Sequence, residues 1–230
     1  WTAETQPYVK RHCINNEECA EVKIYLPLYR GDQSATLGAF NEKIQRHLLT
    51  ILQPTPDLPI DATLDSLAAS FFKEYTDFKK FHTDKTENWK LDLIASVPLL
   101  TPQITTVEAR QHFTINRGHK VDLLHAISYD FRTEKYLTIS DLTPDTAALR
   151  PVLEKAFAEA RHFNSPEEIK QTLLPTLDRL PMPRYAAVYP DGIRMVYNYS
   201  EYSLVEVPVV DFRLSWEQLA GLADRSKWLE

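Results

Sequence analysis

Residues 89–142 contain four strand-like segments in succession: WKLDLIASVPLL (89–100), TTVEARQHFTI (105–115), KVDLLHAISYDF (120–131) and KYLTISDL (135–142). Each segment is rich in β-branched, aliphatic or aromatic residues, and a short polar or glycine-containing turn separates it from the next. Strands joined this closely pair with their neighbours along the chain. The stretch therefore predicts an antiparallel meander.

Helical periodicity occurs on both sides of the meander. Apolar residues recur every three or four positions in residues 37–52 and 61–81, and again in residues 145–162. Shorter helices are predicted at residues 166–174 and 215–223. One face of each long helix is apolar, so each helix is expected to lie on a sheet. The residues expected in the core include Phe71, Tyr75, Leu153 and Phe157.

Two further strand pairs lie nearer the ends of the chain. Residues 8–28 alternate apolar and polar positions in the pattern of a half-buried strand pair. The segment YAAVYPDGIRMVYNY (185–199) predicts a hairpin whose turn is Pro190-Asp191-Gly192.

The order of these elements predicts an α+β fold. We expect two strand–helix–strand subdomains, in which antiparallel sheets are each covered by helices. The composition changes near residues 99–106 (LLTPQITT), which places the boundary between domains at 1–104 and 105–230.

Two cysteines, Cys13 and Cys19, occur within the segment HCINNEEC. If the flanking segments are the arms of a hairpin with its tip at residues 14–18, a disulfide between them fits. A disulfide implies an oxidising compartment. The alternatives are two free thiols, or a metal site that includes His12, although this spacing matches no closed zinc pattern.

Charge and hydropathy restrict the partners. The formal net charge is −6 and the sequence pI is near 5.7, without a basic stripe, so nucleic acid is not an expected partner. No apolar run approaches the ~20 residues that span a bilayer, so no membrane span is expected within this chain. The chain starts at Trp1 without an initiator Met, and we expect that a leader or anchor has been removed.

Motifs for catalysis are not found in the sequence. The five glycines form neither Gly-x-Ser-x-Gly nor a phosphate-binding loop. His112, His119 and His125 fall in one meander, but no two of the seven histidines have the i, i+4 spacing of a helical metal site. We therefore predict no catalytic residue, no metal and no cofactor.

Several segments together resemble a known family. They are INRGHKVDLLHAISYDFRTEKYLTISDL (115–142) and PDGIRMVYNYSEYSLVEVPVVDFRLSWEQL (190–219). They resemble the RsiV-like extracytoplasmic domain of unknown function, which occurs in an anti-sigma factor that is a lysozyme receptor and in a peptidoglycan deacetylase. The first half of the chain, with EVKIYLPLY (21–29) before an Asn-containing helix and WKLDLIASV (89–97) after it, resembles the companion domain that precedes this family.

The resemblance implies a non-catalytic binding or sensing module of the bacterial cell envelope. Its localisation would be extracytoplasmic, in the periplasm or at the cell surface, either secreted or lipid-anchored. The implied ligand is a lysozyme-like protein or a peptidoglycan fragment. The alternative functions are an envelope hydrolase and a deacetylase-associated accessory domain.

The family's most distinctive segments also imply a ligand site. It would combine a turn with a tyrosine-rich strand, in which alternation places Tyr197, Tyr199 and Glu201 on one face. The competing interpretation is that these tyrosines are packing residues of a strand. The predicted ligand-binding residues are Arg117, Gly118, His119, Tyr197, Tyr199, Glu201 and Tyr202.

Overall fold

The computed structural model describes residues 1–31, 34–51, 63–83, 86–115, 119–203 and 208–229. The strands in this part of the chain are β1 (Thr2–Cys13), β2 (Cys19–Arg30), β3 (Trp89–Leu100), β4 (Ile104–Ile115), β5 (His119–Asp130), β6 (Lys135–Tyr136), β7 (Tyr185–Tyr189), β8 (Gly192–Tyr197) and β9 (Val210–Ser215). The helices are α1 (Ser34–Ile51), α2 (Leu64–Phe81), α3 (Ile139–Leu142), α4 (Thr146–Ala160), α5 (Pro166–Thr172) and α6 (Ser226–Leu229), with a 3₁₀ helix at Tyr199–Glu201.

The predicted α+β class is confirmed, and the strands form two sheets. The first sheet has the order β1-β2-β3-β4-β5-β6, and the second has the order β7-β8-β9. One pairing differs from the antiparallel sheets that we expected: β2 and β3 are parallel, from Ala20 opposite Trp89 to Tyr25 opposite Ile94. The reason is that α1 and α2 both lie between these strands in the chain, and such a crossover returns the chain to the same end of the sheet.

The residues divide into two compact units. Unit 1 comprises Trp1–Ser96 and Ala109–Leu123, and unit 2 comprises Val97–Glu108 and Leu124–Glu230. Strands β3, β4 and β5 therefore each contribute residues to both units. The division into a companion domain and an RsiV-like domain at residues 104 and 105 stays a prediction. Among the helices in the described ranges, none is long and apolar enough to cross a membrane.

In unit 1 the core lies between the sheet and the two long helices. Phe71 and Tyr75 of α2 are 2% and 0% exposed, as their spacing predicts. Trp89 of β3 contacts both rings, at centroid distances of 5.9 and 5.5 Å. Thr63 is the N-cap of α2 and forms a capping box with Ser66.

Strand β1 is the edge strand of the first sheet, and all its residues except Tyr8 are exposed. A strand that buries neither face has little to define its register. Side-chain contacts at several positions help to define it here, among them an ion pair between Glu4 and Arg30 (2.7 Å). Cys13 and Cys19 lie directly opposite each other and form the predicted disulfide, and the Tyr8 hydroxyl donates a hydrogen bond to Asp65 Oδ1 of α2 (2.8 Å).

Pro7 of β1 and Pro27 of β2 both lie at positions that form no hydrogen bond in the β1–β2 ladder. The Ile14 amide donates to the Glu18 carbonyl (3.0 Å), and hydrogen-bonded pairs alternate with unbonded pairs along an antiparallel ladder. Counting in twos from that bond, Pro7–Tyr25 and Thr5–Pro27 are unbonded pairs. Each proline nitrogen therefore points away from the β1–β2 ladder, where its missing N–H removes no bond.

In unit 2, helix α4 packs on the three-stranded sheet. Its residues Leu153 and Phe157 are 0% exposed, which confirms their predicted place in the core. The predicted hairpin forms from β7 and β8. Glycine is required at its end because a Cβ at Gly192 would collide with the carbonyl oxygen of Leu214.

The helix predicted at residues 215–223 is wrong. Ser215 is the last residue of β9, and the chain continues in a series of turns before α6. The Gln218 side chain accepts a hydrogen bond from the Ser215 amide (2.8 Å), and Gly221 has a positive φ of 79°. A residue in this left-handed conformation ends helical geometry.

Candidate functional site

The tyrosine-rich segment does not form the predicted strand. Strand β8 ends at Tyr197, and Tyr199 and Glu201 lie in a 3₁₀ helix. The turn forms because Glu201 Oε1 accepts hydrogen bonds from the Asn198 backbone amide (3.3 Å) and side-chain Nδ2 (3.1 Å). The predicted alternation of faces after residue 197 is therefore wrong.

Two of the predicted site residues are packing residues of unit 2. Tyr197 and Tyr202 are both 0% exposed. Their rings meet the ring of Phe157 edge-on, at centroid distances of 5.2 and 5.3 Å. The Tyr197 hydroxyl donates to the Pro181 carbonyl (2.9 Å). Burial raises the pKa of both hydroxyls, so both remain neutral.

Glu201 is partly buried, and its carboxylate accepts hydrogen bonds within the turn. Burial raises its pKa, and hydrogen bonds from Asn198 and from the Arg184 backbone oppose that effect. These bonds hold the 3₁₀ helix beside Arg184, whose guanidinium lies over the Tyr185 ring (5.5 Å to the centroid).

The other half of the predicted site is only partly described. Arg117 and Gly118 lie outside the described residues, and His119 is the first residue of β5, with its side chain outside the description. The ligand site at this turn and the tyrosine segment stays a prediction.

A charged cluster lies on the second sheet. Arg194 pairs with Glu108 and Asp211, and the Tyr189 hydroxyl donates to Glu108 (2.9 Å). The Arg213 guanidinium lies over the Tyr189 ring (4.3 Å to the centroid). Burial raises the pKa of Tyr189 to about 12. Because these charges are matched to one another and the phenol stays protonated, the cluster stabilises the sheet.

The meander histidines have separate surroundings. His112 Nδ1 contacts Asp122, and His112 Nε2 lies 3.2 Å from the Thr114 hydroxyl. His125 is 3% exposed and packs edge-on against Tyr185 at 4.6 Å. Over the described ranges, no three His, Cys, Asp or Glu side chains come together as metal ligands.

A cleft between α4 and α5 is the candidate functional site. Its volume is about 410 Å³. The apolar side chains come from one face of α4, from the connection after it and from α5, and charged side chains of α4 form the rim. We call it the α4–α5 cleft, and it is lined by Pro151, Glu154, Lys155, Ala158, Glu159, Phe163, Asn164, Ser165 and Ile169.

The chemistry of the α4–α5 cleft favours apolar side chains over sugars. The Arg161 guanidinium already lies over the Phe163 ring (5.4 Å to the centroid), which leaves less of that ring for a sugar to stack on. At the rim, Glu154 and Glu159 outnumber Lys155. Their pairings are long, 3.8 Å for the partly buried Arg150–Glu154 pair and 4.0 Å for the exposed Lys155–Glu159 pair. An incoming cation displaces the exposed pair at little cost.

This cleft has no periodic pattern in the sequence, and it was not predicted. The cleft forms where α4 ends and the chain reverses, at His162, which has a positive φ of 56°. The signal available in the sequence is Phe163, a large aromatic residue in the otherwise polar connection RHFNSPEE (161–168).

No family model and no curated protein matches the sequence. Solved structures of DUF3298 family proteins have the same fold. One, from Pseudomonas aeruginosa, is 16% identical with a TM-score of 0.66, and the match covers 97% of this chain and 94% of that chain. Another, from Bacteroides fragilis, is 11% identical with a TM-score of 0.67, covering 97% and 93%. At these identities the similarity shows the fold alone.

Proposed function

We propose that this chain is a non-catalytic binding or sensing module of the bacterial cell envelope, and that it binds a protein ligand in the α4–α5 cleft. The observation that carries the proposal is the open cleft of about 410 Å³ with apolar side chains from both helices. Ligand sites in proteins are typically concave, largely apolar and edged by a few polar groups.

The Cys13–Cys19 disulfide supports a place outside the cytoplasm. Disulfides persist in oxidising compartments and are rare in reducing ones. The resemblance to the RsiV-like domain points to the same compartment, and the neighbouring DUF3298 structures add the fold without a function.

A protein ligand is favoured over a peptidoglycan fragment. An apolar side chain of the ligand would lie against Ala158 and Ile169, and a basic side chain beside it would meet Glu154 or Glu159. The resemblance suggests a lysozyme-like protein as the first ligand to test.

Calorimetry with a lysozyme and with soluble muropeptides tests the proposal. Ala158 is partly buried in the cleft, whereas Ala160 is exposed on the same helix and does not line it. Ala158→Arg should fill the cleft and weaken lysozyme binding at least about tenfold, a loss of about 1.4 kcal/mol. Ala160→Arg adds the same charge outside the cleft and should leave affinity unchanged.

Equal lysozyme affinity for both variants would reject the α4–α5 cleft. Binding of muropeptides without lysozyme would reject the protein ligand in favour of a glycan. Binding of neither would reject the specific form of the proposal.

A further inference from the structure

The two cysteines of the disulfide differ in exposure. Cys13 is an exposed residue at the end of β1, whereas Cys19 is only 5% exposed. Cys19 is also held from the opposite side, because its backbone amide donates to Asn88 Oδ1 (2.8 Å). A thiol from solvent therefore has access to Cys13 rather than to Cys19.

A cation lies beside the less exposed sulfur. Arg11 Nη2 is 3.2 Å from Cys19 Sγ. Arg11 precedes Cys13 by two residues on β1, so its side chain shares the face of the disulfide. Glu21, the residue opposite Arg11, forms an ion pair with Lys23 (2.6 Å). A neighbouring guanidinium stabilises a thiolate and so improves it as a leaving group.

We propose that Cys13 is a site of thiol modification, at which an external thiolate forms a mixed disulfide while Cys19 leaves as the thiolate beside Arg11. Exchange depends on which sulfur is accessible and on the pKa of the thiol that leaves. At this disulfide, the exposure of Cys13 and the charge of Arg11 both favour attack at Cys13 and departure of Cys19.

The step is balanced without an added oxidant. The incoming thiolate sulfur bonds to Cys13 Sγ, the Cys13–Cys19 bond breaks, and its electron pair goes to Cys19 Sγ. With a dithiol reductant, the second thiolate of the reductant then attacks the reductant sulfur that is bound to Cys13. This closes the internal disulfide of the reductant and releases Cys13 as a thiolate. With a monothiol, Cys19 remains free and can reverse the step.

Modification would free one end of β1 selectively. The disulfide joins the exposed edge strand to β2 at this end. The tip residue Glu18 stays attached to α2, because it pairs with Lys79, which is 6% exposed. Opening the disulfide therefore frees the Cys13 end of β1 while the β2 side of the hairpin remains fixed.

Brief treatment of the oxidised protein with reduced glutathione tests this proposal. The reaction is quenched with an alkylating agent, and tryptic peptides are identified by mass spectrometry. We expect glutathione on Cys13 and the alkyl group on Cys19. Arg11→Gln should slow adduct formation about threefold to tenfold, and Arg11→Lys should restore most of the rate.

Lys10→Gln is the matched control, because it removes a cation from the same strand at a position opposite Val22, on the face away from the disulfide. Repeating the series with uncharged 2-mercaptoethanol excludes simple attraction of anionic glutathione. Equal labelling of both cysteines, or more adduct on Cys19, would overturn the assignment of Cys13. An Arg11→Gln rate equal to wild type with both thiols would overturn the role of Arg11.

Discussion

The side chain of Asn198 forms two hydrogen bonds with the backbone of Leu124. Its Nδ2 donates to the Leu124 carbonyl and its Oδ1 accepts from the Leu124 amide, each at 3.0 Å. Asn41 of α1 makes the same pair with Tyr29 of β2, at 3.0 and 2.8 Å. In each unit, one asparagine side chain thus forms the two backbone hydrogen bonds that a neighbouring strand would otherwise form.

Asn198→Asp should destabilise the protein by about 3 kcal/mol. The carboxylate cannot donate to the Leu124 carbonyl, and it places a charge at a residue that is 3% exposed. Chemical denaturation measures the loss. Asn164→Asp, at an exposed position, is the control and should change stability little. Equal midpoints for both variants would show that the Leu124 bonds contribute nothing.

Phe157→Ala should cost about 3 to 5 kcal/mol, because the ring is 0% exposed and its removal leaves a cavity between Tyr197 and Tyr202. Phe81→Ala is the matched control, since that ring is 83% exposed. The measurement is the free energy of unfolding in urea. An unchanged midpoint for Phe157→Ala would place this helix face outside the core.

Removing the two buried tyrosine hydroxyls should have different effects. Tyr197→Phe loses the hydrogen bond to Pro181 and should cost about 1 kcal/mol. The Tyr202 hydroxyl is buried and has no hydrogen-bond partner among the described residues, so Tyr202→Phe should be neutral or stabilising. Thermal denaturation compares them, and a larger loss for Tyr202→Phe would reveal a partner for that hydroxyl.

Arg194→Ala should destabilise the protein by about 3 to 5 kcal/mol, because it removes the guanidinium that pairs with Glu108, whose side chain is only 14% exposed. Arg213 lies directly opposite Arg194 on β9 and pairs with the exposed Asp191. Its side chain is 38% exposed against 11% for Arg194. Arg213→Ala should therefore cost less than about 1 kcal/mol in the same denaturation assay.

Glu201 should make stability fall as pH rises. Its folded-state pKa is raised by burial above the ordinary 4.5, so the folded protein holds this proton more tightly. The stabilisation is complete below pH 4.5 and is lost as pH passes the folded-state pKa. The Tm of Glu201→Gln relative to wild type should rise from pH 4 to 7. Exposed Glu217→Gln is the control, and a constant Tm difference for Glu201→Gln would contradict the raised pKa.

Periodicity predicted the elements whose apolar pattern is long and regular. The face of α2 that carries Phe71 and Tyr75 repeats over five turns, and burial follows from that repetition. The parallel pairing of β2 with β3 was not predicted, because alternation defines the face of a strand and not the direction of its partner. Pairing direction depends on the crossover through α1 and α2.

The candidate site was harder to predict, for a different physical reason. Tyr197 and Tyr202 lie in a segment whose composition suits a contact surface, but a tyrosine ring packs in a core equally well. Which role it takes depends on Phe157, which lies 40 residues before Tyr197 in the sequence. The α4–α5 cleft is likewise made by side chains brought together by a chain reversal.

Pro7 has a consequence for the protein at high concentration. A bare edge strand offers a row of N–H and C=O groups that another molecule's edge can join, and growth by such joining leads to fibres. The groups of β1 that face away from β2 include no N–H at Pro7, near the middle of the strand. The edge strand of another molecule therefore finds no hydrogen-bond donor there. Pro7 therefore works against fibril growth at this edge of the sheet.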